Sequence, residues 1–326
     1  MLKYFLLLVL LYFFFILAPA LSFFFSIFFL HFDFGKKRDS ELAKTYYRPY
    51  RARLEAAMEF LEQQRPVMIM QRTADGITLA AEWYDQGADR TVIFLHGFRS
   101  NPRISLGVEA ETMYRQGFNL LIPHQRAHGE SGGRTTGLGL KEREDLLQWL
   151  TLVQQKHPEG RILLWGISMG SSIASYASDK LTDGPVKAMI LDCGFISPGG
   201  QIIGDCTKRH MPKALLMPII QDCARWVLGL ELSTATTESL KNSRIPTLFL
   251  HGTQDQTVPI ACGRANYEAC GAEKEFLAVE GAAHTVSYLA GGEAVQQQVH
   301  AFIQKYMSEK GTENDETLCN HGGCHL

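Results

Sequence analysis

The sequence predicts an α/β architecture, a mostly parallel central sheet with helices on both faces, preceded by a long apolar helix. Two observations predict the sheet. Short apolar runs recur from residue 67 onward, most ending in glycine or aspartate, and amphipathic stretches lie between them. That alternation calls for crossover connections between parallel strands. The third observation is the start of the chain, where Tyr4 to Leu30 carries no charge and is rich in Phe and Leu.

At ~1.5 Å per residue this first stretch makes a helix ~40 Å long, more than the ~30 Å hydrocarbon core of a bilayer. It reads as a single-pass transmembrane anchor over 1–32, tilted or kinked at Pro19. A signal peptide is the rival, with Lys3 as its basic start and Ala18-Pro19-Ala20 as a cleavage site. The apolar run continues past that point through Phe23, Phe24, Phe25, Ile27, Phe28, Phe29 and Leu30, which favours an uncleaved anchor. Lys36, Lys37, Arg38, Lys44, Arg48, Arg51 and Arg53 follow it, and the positive-inside rule then places the large C-terminal part in the cytoplasm.

Residues 33–66 read as a charged, partly helical linker ending at Pro66. Val67–Gln71 and Ile77–Tyr84 read as strands joined by a hairpin turn at Asp75-Gly76. Thr91–Gly97, Phe118–Pro123, Arg161–Gly166, Lys187–Asp192, Pro246–Gly252 and Glu275–Gly281 read as buried parallel strands. Lys141–Lys156 reads as a helix with Leu146, Trp149, Leu150 and Val153 on one face. In Ala294–Met307 the apolar stripe is Val295, Val299, Phe302 and Tyr306. The domain spans 67–308, and the polar residues 309–326 read as a disordered tail.

Charge is balanced, with 32 basic and 34 acidic residues, which gives no footing for a nucleic-acid partner. Seven cysteines, an odd number, fit a reducing compartment better than a disulfide framework. The tail Cys319–His325 holds ligand types that suit zinc, yet its spacing fits no metal motif, and the expectation is no metal and no organic cofactor. Glycine pairs at Gly132-Gly133 and Gly199-Gly200 lack the rest of a phosphate loop.

The chemistry-bearing residues fall at strand ends. Ser168 follows Arg161–Gly166 inside Gly166-Ile167-Ser168-Met169-Gly170, Asp255 follows Pro246–Gly252, and His284 follows Glu275–Gly281. A nucleophile, an acid and a base thus occur in the order Ser, Asp, His. Asp192, which also ends a strand, is the alternative acid. With "LHGFRSN" (Leu95–Asn101), "HQRAHGESGG" (His124–Gly133), "GISMGSS" (Gly166–Ser172), "HGTQDQTVP" (His251–Pro259) and "GAAHT" (Gly281–Thr285), the chain resembles the α/β-hydrolase superfamily from Val67 to Met307. Within it, the chain most resembles membrane-anchored bacterial serine hydrolases of the serine aminopeptidase-like kind.

The resemblance implies a nucleophile elbow at Ser168, with Gly166 and Gly170 allowing the tight turn and close helix packing. It implies an oxyanion hole from the backbone N–H groups of Phe98 and Met169. His96 and His251 are expected to have structural roles. Where the family shows Asp-x-Arg-Gly-His-Gly-x-Ser, this chain has His124 for the Asp and Ala127 for the first Gly, while Arg126, His128, Gly129 and Ser131 agree.

About fifty residues separate Lys187–Asp192 from Pro246–Gly252, where the family grows a cap, here about 196–244. Within it Leu216, Ile220, Cys223, Trp226, Val227 and Leu230 share helical spacing. That stripe either packs on the domain or walls an acyl pocket over Ser168. The expected function is a membrane-anchored serine hydrolase of esters, thioesters or related acyl compounds, with a small acyl-bearing substrate. A serine peptidase and a non-catalytic membrane scaffold are the alternatives.

Overall fold

The computed structural model describes residues 2–29, 33, 40–182 and 184–308. Eight strands form one sheet: β1 (Val67–Arg72), β2 (Thr78–Tyr84), β3 (Arg90–Leu95), β4 (Asn119–His124), β5 (Arg161–Ile167), β6 (Val186–Asp192), β7 (Thr247–Gly252) and β8 (Lys274–Val279). Their order is β1-β2-β4-β3-β5-β6-β7-β8. β2 runs antiparallel to β1 and β4, and every other pairing is parallel. The expected hairpin forms at Thr73–Ile77, closed by the Thr73 N–H on the Ile77 carbonyl at 2.8 Å.

Burial explains the strand patterns. β4 and β7 are buried at every residue and β5 at all but its first, so both faces of these strands are apolar. The edge strands β1 and β8 carry exposed positions instead. One core lies on each side of the sheet. The helix Glu142–Lys156 buries Leu146, Trp149, Leu150 and Val153, the predicted face. The helix Gly292–Met307 buries Val299, Phe302, Ile303 and Met307. Its seam is therefore rotated from the expected one. Ile303 and Met307 face the core, while Val295 and Tyr306 pack at its border.

The apolar start is one helix, Leu2–Phe28, long and apolar enough to cross a membrane. A π-helical turn at Phe13–Leu17 interrupts it. Pro19 lies just beyond and has no N–H to give the preceding turn. The two halves differ. Leu2 to Phe15 are exposed, whereas Ala20, Phe24 and Phe28 are at most 1% exposed. The inner half Ala18–Phe28 packs against the cap helix Lys213–Cys223 and joins the core there.

The segment read as a linker is packed as well. Leu42, Tyr47, Leu54, Ala57 and Leu61 are buried in the core on the opposite side of the sheet. On the helix Arg51–Gln63 the charged residues Arg51, Arg53, Glu59 and Glu62 are exposed, so the charge marks the outer face and leaves the packed face unannounced. Lys36, Lys37, Arg38 and the tail 309–326, with its Cys319–His325 ligands, lie outside the described residues.

Between β6 and β7 stand helices Pro198–Lys208, Lys213–Cys223 and Thr236–Asn242. Leu216, Ile220 and Leu230 are buried, but Trp226 is 84% exposed. Leu216, Ile220, Cys223 and Leu230 pack on the core, while Trp226 and Val227 are exposed, and none of the six lines the cavity at Ser168.

Candidate active site

β5 ends at Ile167 and the helix Met169–Ala177 begins two residues later. Ser168 is the whole turn between them. It sits at φ 55° and ψ −117°, a conformation that costs an L-residue energy and pushes its side chain outward. Its backbone N–H donates to the Asp192 carbonyl at 2.8 Å, which fixes the turn to β6. A Cβ on Gly170 would collide with the Leu95 carbonyl, and one on Gly166 with the Gly170 carbonyl. Both glycines are required by close approach, and together they let the helix start directly against β3 and β5.

The loops after β7 and β8 bring two further groups to this turn. His284 Nε2 lies 2.9 Å from Ser168 Oγ, and His284 Nδ1 lies 2.6 Å from Asp255 Oδ2. The other oxygen of Asp255 accepts backbone N–H groups from Thr257 at 2.7 Å and Val258 at 2.8 Å. Asp255 is thus held on both oxygens. Asp192 faces elsewhere: Ser287 Oγ donates to it at 2.8 Å, and burial raises its carboxyl to about 7. Of the two acids weighed from sequence, Asp255 is the one hydrogen-bonded to His284.

Met169 opens the helix after the turn, where a backbone N–H has no acceptor within the helix. Phe98 stands in the loop after β3 and lines the same cavity as Ser168. Two histidines brace that loop. His96 Nε2 accepts the Gln125 N–H at 3.0 Å, leaving its Nδ1–H to donate to the Gly97 carbonyl at 2.8 Å. His128 Nε2 accepts the Arg99 N–H at 2.9 Å while Nδ1–H donates to the Arg126 carbonyl. Burial pushes the His96 ring well below its usual range, in keeping with a neutral, structural imidazole. His251 has a similar structural position, with Nε2 2.9 Å from the Val258 carbonyl.

The departures at 124–131 have local consequences. His124 Nδ1 accepts the Glu130 N–H at 3.0 Å, and Ser131 Oγ donates to the His124 carbonyl at 2.6 Å. Ala127 is buried at φ 61°, a left-handed conformation that a glycine takes more cheaply. Arg126 clamps Asp145 through two nitrogens, at 2.8 and 2.6 Å, and reaches Asp75 at 2.9 Å.

A cavity of about 210 Å³ opens on Ser168 and His284. Phe98, Leu138, Phe195, Ile202 and Val258 give it apolar walls, and Lys44, Gln201 and Asp205 add polar groups. Ile27 of the N-terminal helix also lines it. Ile27, Lys44, Gln201 and Asp205 were not expected at the site from sequence. Three of them lie in segments read as anchor or cap, which carry no motif. Among the described residues, Cys193, Asp255 and His284 hold potential metal ligands within 4.8 Å of one another. Asp255 and His284 already bond each other, and burial raises the Cys193 thiol far above its usual range. A thiol held protonated is a poor ligand, so this donor set does not suit a metal.

Comparison with known proteins agrees with the architecture. Residues 90–226 match the model of the alpha/beta hydrolase fold family, and residues 213–318 match that of TAP-like proteins. An esterase of Pyrococcus furiosus superposes with a TM-score of 0.61 at 22% identity, over 76% of this chain and 94% of that one. The chain has the α/β-hydrolase fold. It is similar to the uncharacterized protein YqkD of Bacillus subtilis, 28% identical over 65% of this chain and 70% of that protein. It is also similar to the lysophosphatidylserine lipase ABHD12 of Danio rerio, 23% identical over 69% of this chain and 58% of the lipase. The chain spans about half of a further relative, human ABHD12B, at 52% of its length.

Proposed function

We propose that this chain is a serine hydrolase that cleaves carboxylic ester, thioester or related acyl bonds through an acyl-enzyme on Ser168. The observation that carries the reading is the bonded series from Ser168 Oγ through His284 to Asp255, at 2.9 and 2.6 Å, in a cavity with apolar walls. His284 Nε2 takes the hydroxyl proton as Oγ attacks the acyl carbon. Asp255 accepts the Nδ1–H, fixes the ring tautomer and stabilises the imidazolium. The backbone N–H groups of Met169 and Phe98 stabilise the oxyanion. His284 then protonates the leaving alcohol or thiol. In the second half, water gives a proton to His284 and its oxygen attacks the acyl-enzyme, which releases the acid and restores Ser168.

The cavity volume falls below the ~300–1,000 Å³ common for pockets that take drug-sized ligands, which favours a short to medium acyl group over a folded protein. The exposed apolar half of the N-terminal helix supports attachment to a membrane, and the basic residues that follow the helix in sequence favour the cytoplasmic side for the domain. Kinship with a lysophosphatidylserine lipase makes single-chain acyl lipids the first natural class to assay.

The test is Ser168→Ala. Its kcat on p-nitrophenyl butyrate falls by about 10⁴–10⁶, and fluorophosphonate labelling disappears while the circular dichroism spectrum is unchanged. A variant that still takes the label would overturn the assignment. Aminoacyl p-nitroanilides run in parallel distinguish a peptidase, which would turn them over faster than the esters.

A further inference from the structure

We propose that the inner half of the N-terminal helix is a wall of the acyl site, and that Ile27 sets the acyl-chain length the site accepts. The inference rests on the reading of Ser168 as the nucleophile and gives the rest of that chain segment a part in specificity. Ile27 lines the same cavity as Ser168 and His284. It is half-buried against the core, and the aliphatic and aromatic groups sharing that cavity are Phe98, Leu138, Phe195, Ile202 and Val258. An uncharged hydrocarbon chain is the group that such a surface takes from water.

The wall is fixed to the domain. Ala20, Phe24 and Phe28 form one row at four-residue spacing, fully buried. Ile27 lies three residues after Phe24, on the neighbouring row. Beyond the helix end, the Thr136 N–H donates to the Phe28 carbonyl at 3.1 Å, and Phe29 pairs with Thr135 as a β-bridge. The Arg99 guanidinium donates to the Ser26 carbonyl, one residue before Ile27 and one after Phe98. The helix end is therefore tied both to the loop that carries Phe98 and to the stretch that leads to Leu138. A membrane tether joined by a free linker would make none of these bonds.

Each methylene removed from such a contact changes binding by a factor of about three to four. Ile27→Trp fills the cavity and should lower kcat/KM for octanoyl relative to acetyl p-nitrophenyl ester by about tenfold or more. Ile27→Ala opens it and should move the preferred chain upward. The experiment uses the full chain in detergent micelles, with acetyl to dodecanoyl esters. Phe14→Ala, on the exposed outer half, serves as the control and keeps the wild-type profile. In Phe14→Ala, labelling by a small fluorophosphonate stays within about twofold of wild type, and circular dichroism checks that both Ile27 variants fold. A dansylated undecanoic acid gives a readout independent of turnover: its affinity should fall in Ile27→Trp. Unchanged profiles and unchanged fatty-acid affinity in both folded Ile27 variants would overturn the proposal. If the wild-type chain takes no label and cleaves no ester, the hydrolase reading is overturned. The fatty-acid affinities then decide the wall alone, a loss in Ile27→Trp upholding it and no change overturning it.

Discussion

Asp192 ends β6 and Asp255 lies in the loop after the neighbouring β7; the two are chemically identical, yet their surroundings assign them different work. Asp255 Oδ2 lies 2.6 Å from His284 Nδ1, with two backbone N–H groups on its other oxygen. An amide in its place could not accept the ring N–H with the same charge and would favour the wrong tautomer. We expect Asp255→Asn to lower kcat by about 10³–10⁴, as such replacements do in serine triads. Asp192 is buried, bonded to Ser287 and raised to about 7, so near neutral pH much of it carries its proton. Asparagine is close to a copy of that neutral form, and Asp192→Asn should cost less than about tenfold in kcat. Steady-state kinetics on one ester with both variants checks the order, and a larger loss in Asp192→Asn would reassign the acid. Ser168, Asp255 and His284 could be singled out from sequence because each follows an apolar strand inside a short motif of small residues. The preference for Asp255 over Asp192 rests there on the motif HGTQDQTVP alone, since which loop reaches the ring is fixed only in three dimensions.

At the scale of elements, the strands were readable because a buried parallel strand is an unbroken apolar run. The helix before the linker was readable as a long apolar helix, but the packing of its inner half and of residues 40–64 on the domain was not, because composition does not say which face is covered. Residues 40–47 show the difference. Glu41 accepts Ser100 Oγ at 2.6 Å and the Asn101 N–H at 2.9 Å, next to the Phe98 loop. Tyr47 Oη lies 2.8 Å from Thr285 Oγ1, one residue after His284. Thr285 itself sits at φ 65°, so its backbone needs holding. No periodicity announces such bonds, since their partners are hundreds of positions or many tens of positions away. Tyr47→Phe keeps the buried ring and removes only the hydroxyl. It should cost about 1 kcal/mol of stability and lower kcat several-fold with little change in KM. Denaturant titration and a kcat against KM comparison check this, and a wild-type kcat would show that Tyr47 serves packing alone.

For the whole molecule, the sheet separates two cores, and one of them holds carboxyl groups that the proposed chemistry does not use. Glu109 is 3% exposed in the helix Gly107–Arg115, and burial raises its carboxyl to about 8, with the charge of Asp192 adding to the shift and that of Arg53 opposing it. Asp192 is raised to about 7 by the same burial. In the unfolded chain both groups return to the ordinary carboxyl range near ~4. A group raised on folding holds its proton more tightly in the native state, so its contribution to stability is complete below the unfolded value. It is lost as pH rises through the folded value. The window is therefore about pH 4 to 8, opposite in sign to that of Glu82, where burial is outweighed by the hydrogen bond from His124 and the charge of Arg103, so that its carboxyl is lowered and its contribution is lost toward acid. The midpoint of thermal unfolding should thus decline between about pH 4 and 8 and level off above. Glu109→Gln removes one of the two titrations while keeping the shape of the side chain, and it should flatten that decline and leave Tm at pH 9 above wild type. Scanning calorimetry at half-unit pH steps measures both slopes. Parallel slopes for wild type and Glu109→Gln would mean that Glu109 is ionised within the fold and that the alkaline loss arises elsewhere.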